Sequence, residues 1–178
     1  TIYGDSEFIR TPGGEESFSL TSREILLDSS EGGESQGGND TIYGESGNDL
    51  IYAGGGKDYV NGGSGNDLIY GGDGCDTING DTGNDTIVAD GGYDYLSGGL
   101  SGVDVFVFTC ETDGATITDF QKAIDKIDLS EFGGLGFGDL TLTVANGDTT
   151  VHVPEAGGFD IFLDNVTGVT ASSFIFSL

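Results

Sequence analysis

The chain has 178 residues, the length of one ordinary domain, and carries 31 Asp plus Glu against 5 Lys plus Arg, for a formal charge of −26. So acidic a balance excludes a nucleic-acid binder, which needs clustered Lys and Arg to release counterions, and argues against docking on an anionic membrane. Hydrophobic residues still make up 35%, with 11 Phe and 7 Tyr beside 34 Gly, so a core is available once something neutralises the carboxylates.

At the start of the chain no charged region precedes an apolar one, so no N-terminal signal peptide is visible. No run approaches the roughly 20 apolar residues needed for membrane insertion as a helix. Thr1-Ile2-Tyr3-Gly4 repeats the text of Thr41-Ile42-Tyr43-Gly44, so the chain is expected to begin inside a repeat, as a fragment of a longer protein would. Residues 5–34 break the period. Phe18, Leu20, Ile25, Leu26 and Leu27 predict a short strand or turn there, and residues 1–34 read as a partial repeat plus an insertion or cap.

Residues 35–108 carry the strongest signal. Aspartates stand at Asp40, Asp49, Asp58, Asp67, Asp76, Asp85 and Asp94, each nine residues after the last, and Asp104 follows after ten. Two residues beyond each lies an apolar side chain: Ile42, Ile51, Val60, Ile69, Ile78, Ile87, Leu96 and Phe106. Two residues before each lies a glycine: Gly38, Gly47, Gly56, Gly65, Gly74, Gly83, Gly92 and Gly102. One copy reads Gly62-Gly63-Ser64-Gly65-Asn66-Asp67-Leu68-Ile69-Tyr70. Solvated surface residues need no such phase, so the period marks a stacked repeat architecture.

These residues resemble the RTX nonapeptide Gly-Gly-x-Gly-x-Asp-x-U-x, with U a large apolar residue, which is a calcium-binding β-helix repeat. The resemblance implies an all-β fold, a right-handed parallel β-roll in which six residues of each repeat turn and three form a strand. Two repeats then close one coil. The chemistry agrees with the spacing: glycine permits the positive φ angles that aim main-chain carbonyls at one point, and aspartate adds hard, charged oxygen. Calcium takes 6–8 oxygen ligands, more than one turn supplies, so an ion is expected between two stacked turns. One row pairs Asp40 with Asp58, Asp58 with Asp76, and Asp76 with Asp94; the other pairs Asp49 with Asp67, Asp67 with Asp85, and Asp85 with Asp104. Roughly six Ca2+ slots follow, the last left open by the inserted residue. The candidate ligands are these aspartates and the carbonyls of Gly38, Gly47, Gly54, Gly56, Gly63, Gly65, Gly72, Gly74, Gly83 and Gly92.

In a three-residue strand the middle side chain points inward and its neighbours outward. One sheet should then show Thr41, Tyr43, Tyr59, Asn61, Thr77, Asn79, Tyr95 and Ser97, a wettable face. The other should show Leu50, Tyr52, Leu68, Tyr70, Thr86 and Val88, an apolar stripe that needs a cover. That cover is either another part of the chain, with residues 5–34 a candidate, or a partner domain, or a sugar stacked on Tyr52 and Tyr70.

Residues 109–178 are expected to form a C-terminal β cap. Asp104-Val105-Phe106-Val107-Phe108, Ile117-Thr118-Asp119-Phe120 and Asp125-Lys126-Ile127-Asp128-Leu129-Ser130 are similar to the tail of serralysin-type RTX proteins. Further strands are predicted at residues 140–144, 149–153, 159–163 and 174–176, separated by Gly, Asn and Asp turns. Ser173-Phe174-Ile175-Phe176-Ser177-Leu178 resembles the uncleaved end of family members exported by type I secretion, although Ser172 and Ser173 stand where an acidic residue is usual.

No catalytic residue is predicted. His152, the only histidine, sits in Val151-His152-Val153 as an outward strand residue, and neither a His-Glu-x-x-His nor a Gly-x-Ser-x-Gly motif occurs. Asp119, Asp125 and Asp128 are read as capping turns rather than holding a further ion. Cys75 and Cys110 are too few for a disulfide framework, and a bond between them and two free thiols both stay open.

Without a cation the stacked carboxylates repel and the core is thin, so metal binding and folding should be one event. The expected function is a calcium-dependent folding, stabilising and secretion module. Its partners would be calcium, the type I secretion machinery and an N-terminal cargo domain of the same parent chain. Its place is secreted, extracellular or at the cell surface, where calcium is plentiful. The alternative is a non-catalytic carbohydrate-binding or adhesion module, because the layout is also similar to RTX modules of alginate epimerases. With only Arg10, Arg23, Lys57, Lys122 and Lys126 as cations, a polysaccharide would meet it through bridging calcium or a neutral-sugar surface.

Overall fold

The computed structural model describes residues 38–154 and 157–177, together with the strands Ile9–Arg10, Glu16–Ser19 and Ile25–Leu26. Thr1-Ile2-Tyr3-Gly4, Leu20, Leu27 and Leu178 lie outside the described residues. Among the described residues the only helical elements are two 3-10 turns, Phe137–Asp139 and Ala171–Ser173, so the fold is all-β.

Repeats alternate between two sheets, as a period of two turns and two strands per coil demands. One sheet stacks Glu16–Ser19, Thr41–Tyr43, Tyr59–Ser64, Thr77–Thr82, Gly92–Ser97 and Thr112–Ile117 in parallel. The other stacks Ile25–Leu26, Leu50–Tyr52, Leu68–Tyr70, Thr86–Ala89, Val105–Phe108, Lys126–Asp128 and Phe174–Ile175, also in parallel. The register steps by 18 residues: Leu50 pairs with Leu68, Ile51 with Ile69 and Tyr52 with Tyr70. This is a parallel β-roll. Glu16–Ser19 and Ile25–Leu26 join the sheet edges as a further coil, so these two strands extend the sheets rather than cover the apolar face.

The middle residue of each strand faces the interior, and Ile42, Ile51, Val60, Ile69, Ile87, Leu96 and Phe106 are fully buried. Each such aliphatic side chain contributes about 1.5–3 kcal/mol of burial. The parallel stack runs on past Phe108. Thr112–Ile117 pairs in parallel with Phe159–Leu163, and beyond it the sheet turns antiparallel, through Asp148–Val153 to Thr141–Ala145, as it also does at its far edge, where Ile9–Arg10 pairs with Glu16–Ser19. Asn146 (φ 56°) and Gly147 (φ 100°) close the last hairpin, the left-handed pair that a two-residue turn requires. Behind these strands Phe108, Phe132 and Phe159 cluster, with ring centroids 5.9 and 5.6 Å from that of Phe159. Leu129, Val151, Val153, Ile161 and Leu163 complete a wider core than the roll has.

Candidate metal centres

Each repeat aspartate lies two residues before an inward apolar side chain, so the pleat turns both to the same side. The carboxylates are therefore buried at the mouth of each turn: Asp49, Asp58, Asp67, Asp76, Asp85, Asp94 and Asp104 expose 3% or less. One oxygen of each stitches the coils together. Oδ1 of Asp58, Asp76 and Asp94 accepts the main-chain N–H of Asp40, Asp58 and Asp76 at 2.8–2.9 Å. In the other row Oδ1 of Asp67, Asp85 and Asp104 accepts the N–H of Asp49, Asp67 and Asp85 at 2.8–2.9 Å. The two expected rows are thus the two rows the fold builds. The inserted residue does not interrupt them: Leu100 takes up the extra length and is 87% exposed, while Asp104 keeps its stacking bond.

The other oxygen has no such use. Oδ2 of Asp58, Asp67, Asp76, Asp85, Asp94 and Asp104 is buried and accepts no hydrogen bond from the protein. An ionised oxygen so placed is costly. Burial accordingly pushes the carboxyl of Asp76 up to about 8, those of Asp94 and Asp104 to about 7, and those of Asp58 and Asp67 to about 6. Asp85 moves the same way. The stitching N–H pulls each value back, and neighbouring carboxylates push it further up.

Glycine makes the space beside these oxygens. A methyl on Gly62 would lie 2.5 Å from Oδ2 of Asp67 and 3.0 Å from the Gly80 carbonyl, and one on Gly71 would lie 3.0 Å from Oδ2 of Asp76. Methyls on Gly65, Gly74, Gly83 and Gly92 would overlap the carbonyl oxygens of Gly47, Gly56, Gly65 and Gly74, one coil away. Gly47, Gly54, Gly56, Gly63, Gly65, Gly72, Gly74, Gly83 and Gly92 all have positive φ, and Gly38 opens the described stretch two residues before Asp40. Bare carboxylate oxygens thus sit beside close-packed main chain, which fits a hard cation. Among the described residues no three His, Cys, Asp or Glu side chains converge, so carbonyls would have to supply much of any shell.

Two features escaped the periodicity. Asn48, Asn66 and Asn84 form a second stitch, their Oδ1 atoms accepting the N–H of Asn66, Asn84 and Val103 at 2.7–2.9 Å. These bonds run opposite to the aspartate bonds, from one coil to the next rather than back. Asp125 prolongs the second aspartate row, since its Oδ1 accepts the N–H of Asp104 at 3.2 Å while Oδ2 accepts that of Gln121 at 2.7 Å. The Asp-x-Ile text of Asp125-Lys126-Ile127 is the signal that could have found it. Elsewhere, Cys75 and Cys110 are both free and exposed, and His152 is exposed with Nδ1 2.8 Å from Oδ1 of Asp160.

The profile of the RTX calcium-binding nonapeptide repeat (4 copies) matches residues 35–69 and 70–101. No curated protein matches the chain in sequence. Among solved structures the chain is similar to the AlgE6R3 subunit of the Azotobacter vinelandii mannuronan C5-epimerase, at 30% identity and TM-score 0.55 over 73% of this chain and 80% of that one. The AlgE6R2 subunit of that epimerase matches at 23% identity and TM-score 0.43, covering 81% and 94% of the two chains. Extracellular lipase LipA of Serratia marcescens matches at 14% identity and TM-score 0.38, covering 93% and 40%. With the nonapeptides in phase, their carboxylates stacked and a solved relative at 30% identity, the chain belongs to the RTX calcium-binding nonapeptide-repeat family.

Proposed function

We propose that this chain is a non-catalytic module whose folding is switched by calcium and which stabilises and helps export a larger protein. The observation that carries the reading is the double row of buried Oδ2 atoms without a hydrogen bond, from Asp58 to Asp104. Each ion would lie between successive turns of one row, held by aspartate Oδ2 and glycine carbonyls. Bound calcium supplies the positive charge that these oxygens lack, and about six ions would cancel roughly half of the net charge of −26. Binding free energy then becomes folding free energy, and free ion concentration sets the folded fraction.

Where calcium is scarce, inside a cell, the nonapeptide roll stays unfolded and the chain can be threaded through an exporter. At the millimolar levels of weak extracellular sites it folds. The module would thus act outside the cell, attached to a cargo domain. The test is far-UV circular dichroism during a calcium titration from chelator, with magnesium as control. A cooperative, calcium-specific gain of β signal is expected. A chain fully folded in chelator would overturn the switch.

A second reading is a carbohydrate-binding or adhesion module beside a polysaccharide-modifying enzyme. It is supported by the likeness to AlgE6R3, a subunit of a mannuronan epimerase.

A further inference from the structure

Because every coil repeats the register of the last, outward side chains on the longer sheet fall into straight rows. One row runs Thr41, Tyr59, Thr77, Tyr95, Thr116, Phe162 and Thr150. Aromatic rings therefore occupy every second strand, with threonine between them. Strands lie ~4.8 Å apart, so Tyr59, Tyr95 and Phe162 recur about every 9.6 Å. They are 40%, 54% and 36% exposed.

The flanking rows are polar and uncharged on one side, with Tyr43, Asn61, Asn79 and Ser97 in register. On the other side Tyr93 braces the row. Its hydroxyl lies 3.0 Å from that of Thr116, and its ring centroid is 6.0 Å from Tyr95 and 6.4 Å from Phe162. From Thr41 to Phe162 the row carries no ionisable carboxylate, on a chain that holds 31 Asp and Glu.

We propose that this face binds a neutral, extended β-1,4-linked glycan. The inference rests on the carbohydrate-binding reading above and names the ligand class and the face. A pyranose presents an apolar C–H face, which stacks on an aromatic ring, and hydroxyl edges, which pair with Thr and Asn. In a β-1,4 chain the same ring face returns at every second residue, and that two-residue repeat matches two strand separations. Charge selects the neutral class: a polyanion would meet the field of a chain with net charge −26 and, beside Phe162, the half-exposed carboxylate of Asp160, which lies 2.8 Å from Nδ1 of His152.

The opposite sheet, where a sugar on Tyr52 and Tyr70 is one of the three covers the sequence leaves open, is built differently. Those rings sit on adjacent strands and stack on each other, with centroids 4.6 Å apart and planes at 8°. Each hides one face of its neighbour, and the ring spacing matches single strands. The sugar-stacking geometry belongs to the Tyr59–Tyr95–Phe162 row instead.

The test is isothermal titration of the calcium-loaded chain with cellohexaose, mannohexaose, cellobiose and an alginate hexamer, its fold checked by circular dichroism. A neutral hexaose should bind, and cellobiose, which spans a single ring, should bind far more weakly. Tyr95→Ala should weaken hexaose binding by about tenfold, the size of one aromatic contact, and Tyr52→Ala should leave it unchanged. Unchanged binding in Tyr95→Ala would overturn the proposal. Alginate binding alone would overturn it while leaving the carbohydrate reading standing, and binding of none of the four would remove both. A concentration-dependent dimer abolished by Tyr95→Ala would assign the face to a second copy and also overturn it.

Discussion

The nonapeptide roll and the coils after Phe108 share both sheets, yet they treat their carboxylates in opposite ways. In the roll, Oδ2 of Asp58 to Asp104 is buried with no donor. In the later coils the acceptors are served by the protein itself. Asp119 takes the Ser97 hydroxyl at 2.7 Å and the N–H groups of Gly98 and Gly99 at 3.1 and 2.8 Å. Asp125 takes two N–H groups, Asp128 that of Ser130, Asp139 that of Gly136, and Asp148 that of Asn165. Their interiors differ to match: two facing rows of mostly aliphatic side chains in the roll, clustered phenylalanines beyond it. One architecture can thus be held by a ligand or by its own packing. The choice shows in whether a buried oxygen has a donor.

The largest expected effect is chelation. In EDTA at pH 7.5 the amides of residues 40–104 should exchange as in an unfolded chain, while those of Val151, Ile161 and Leu163 keep measurable protection. Equal loss throughout would break the comparison and make the chain one cooperative unit. Acid should partly replace calcium. The folded carboxyls titrate above the unfolded value of 3.8, at about 8 for Asp76, 7 for Asp94 and Asp104, and 6 for Asp58 and Asp67. A group raised in the folded state favours folding fully below 3.8 and loses that contribution as pH rises through its folded value. The chelated chain should therefore gain β signal as pH falls from about 8 towards 4. A flat profile would show that these oxygens are not a burden in the metal-free fold.

Next come the glycines. Gly74→Ala puts a methyl into the Gly56 carbonyl at φ 151°, and should cost about 3 kcal/mol or more, read as a higher calcium midpoint. Gly147→Ala, at φ 100° but with nothing within 4 Å, should cost only about 1 kcal/mol. Similar costs at both positions would mean that close approach between coils is not what glycine provides in the roll.

Asp76→Asn sharpens the contrast because its sign should depend on calcium. With calcium, loss of one charged ligand should raise the folding midpoint about tenfold. In chelator the same change should stabilise the fold, since it removes the buried charge most opposed by its surroundings. Asp125→Asn should instead destabilise by about 1–2 kcal/mol in both conditions, because an amide N–H would replace an acceptor of the Gln121 N–H.

The roll was legible in the sequence because one constraint repeats in it: each coil imposes the same φ angles, the same inward residue and the same acceptor. Asp40 to Asp104, their glycines and the sheet they alternate between all follow from phase. Phase lapses after Phe108: the strands predicted at residues 140–144, 149–153, 159–163 and 174–176 are there, but their places in the two sheets were not legible. The stretch Asp125–Ser130 was visible as text similar to a family tail but its strand Lys126–Asp128 not as the next rung, because 21 residues rather than 18 separate Asp125 from Asp104. The spacing of the outward tyrosines was not legible for a different reason. Tyr52 and Tyr70 looked prominent in text, but ring spacing depends on which strands are neighbours, and Thr116 beside Phe162 is a pairing across 46 residues.

The smallest predicted effect concerns the asparagine stitch, which divides the roll's own two rows. On one side Asn48, Asn66 and Asn84 bind successive N–H groups. On the other, Asn39 accepts the N–H of Lys57 at 2.8 Å, and Lys57, Cys75 and Tyr93 then occupy the equivalent positions, none of them able to accept in that way. Asn66→Ala removes one acceptor at an exposed turn, where water can replace it, so it should cost about 0.5–1 kcal/mol and leave calcium stoichiometry unchanged. Cys75→Asn offers an acceptor to Tyr93 N–H in the row that lacks the stitch, and should stabilise by a similar amount, about 0.5 kcal/mol. If both changes are silent in calcium-loaded melts, the aspartate rows alone hold the coils in register and the asparagines are only tolerated there.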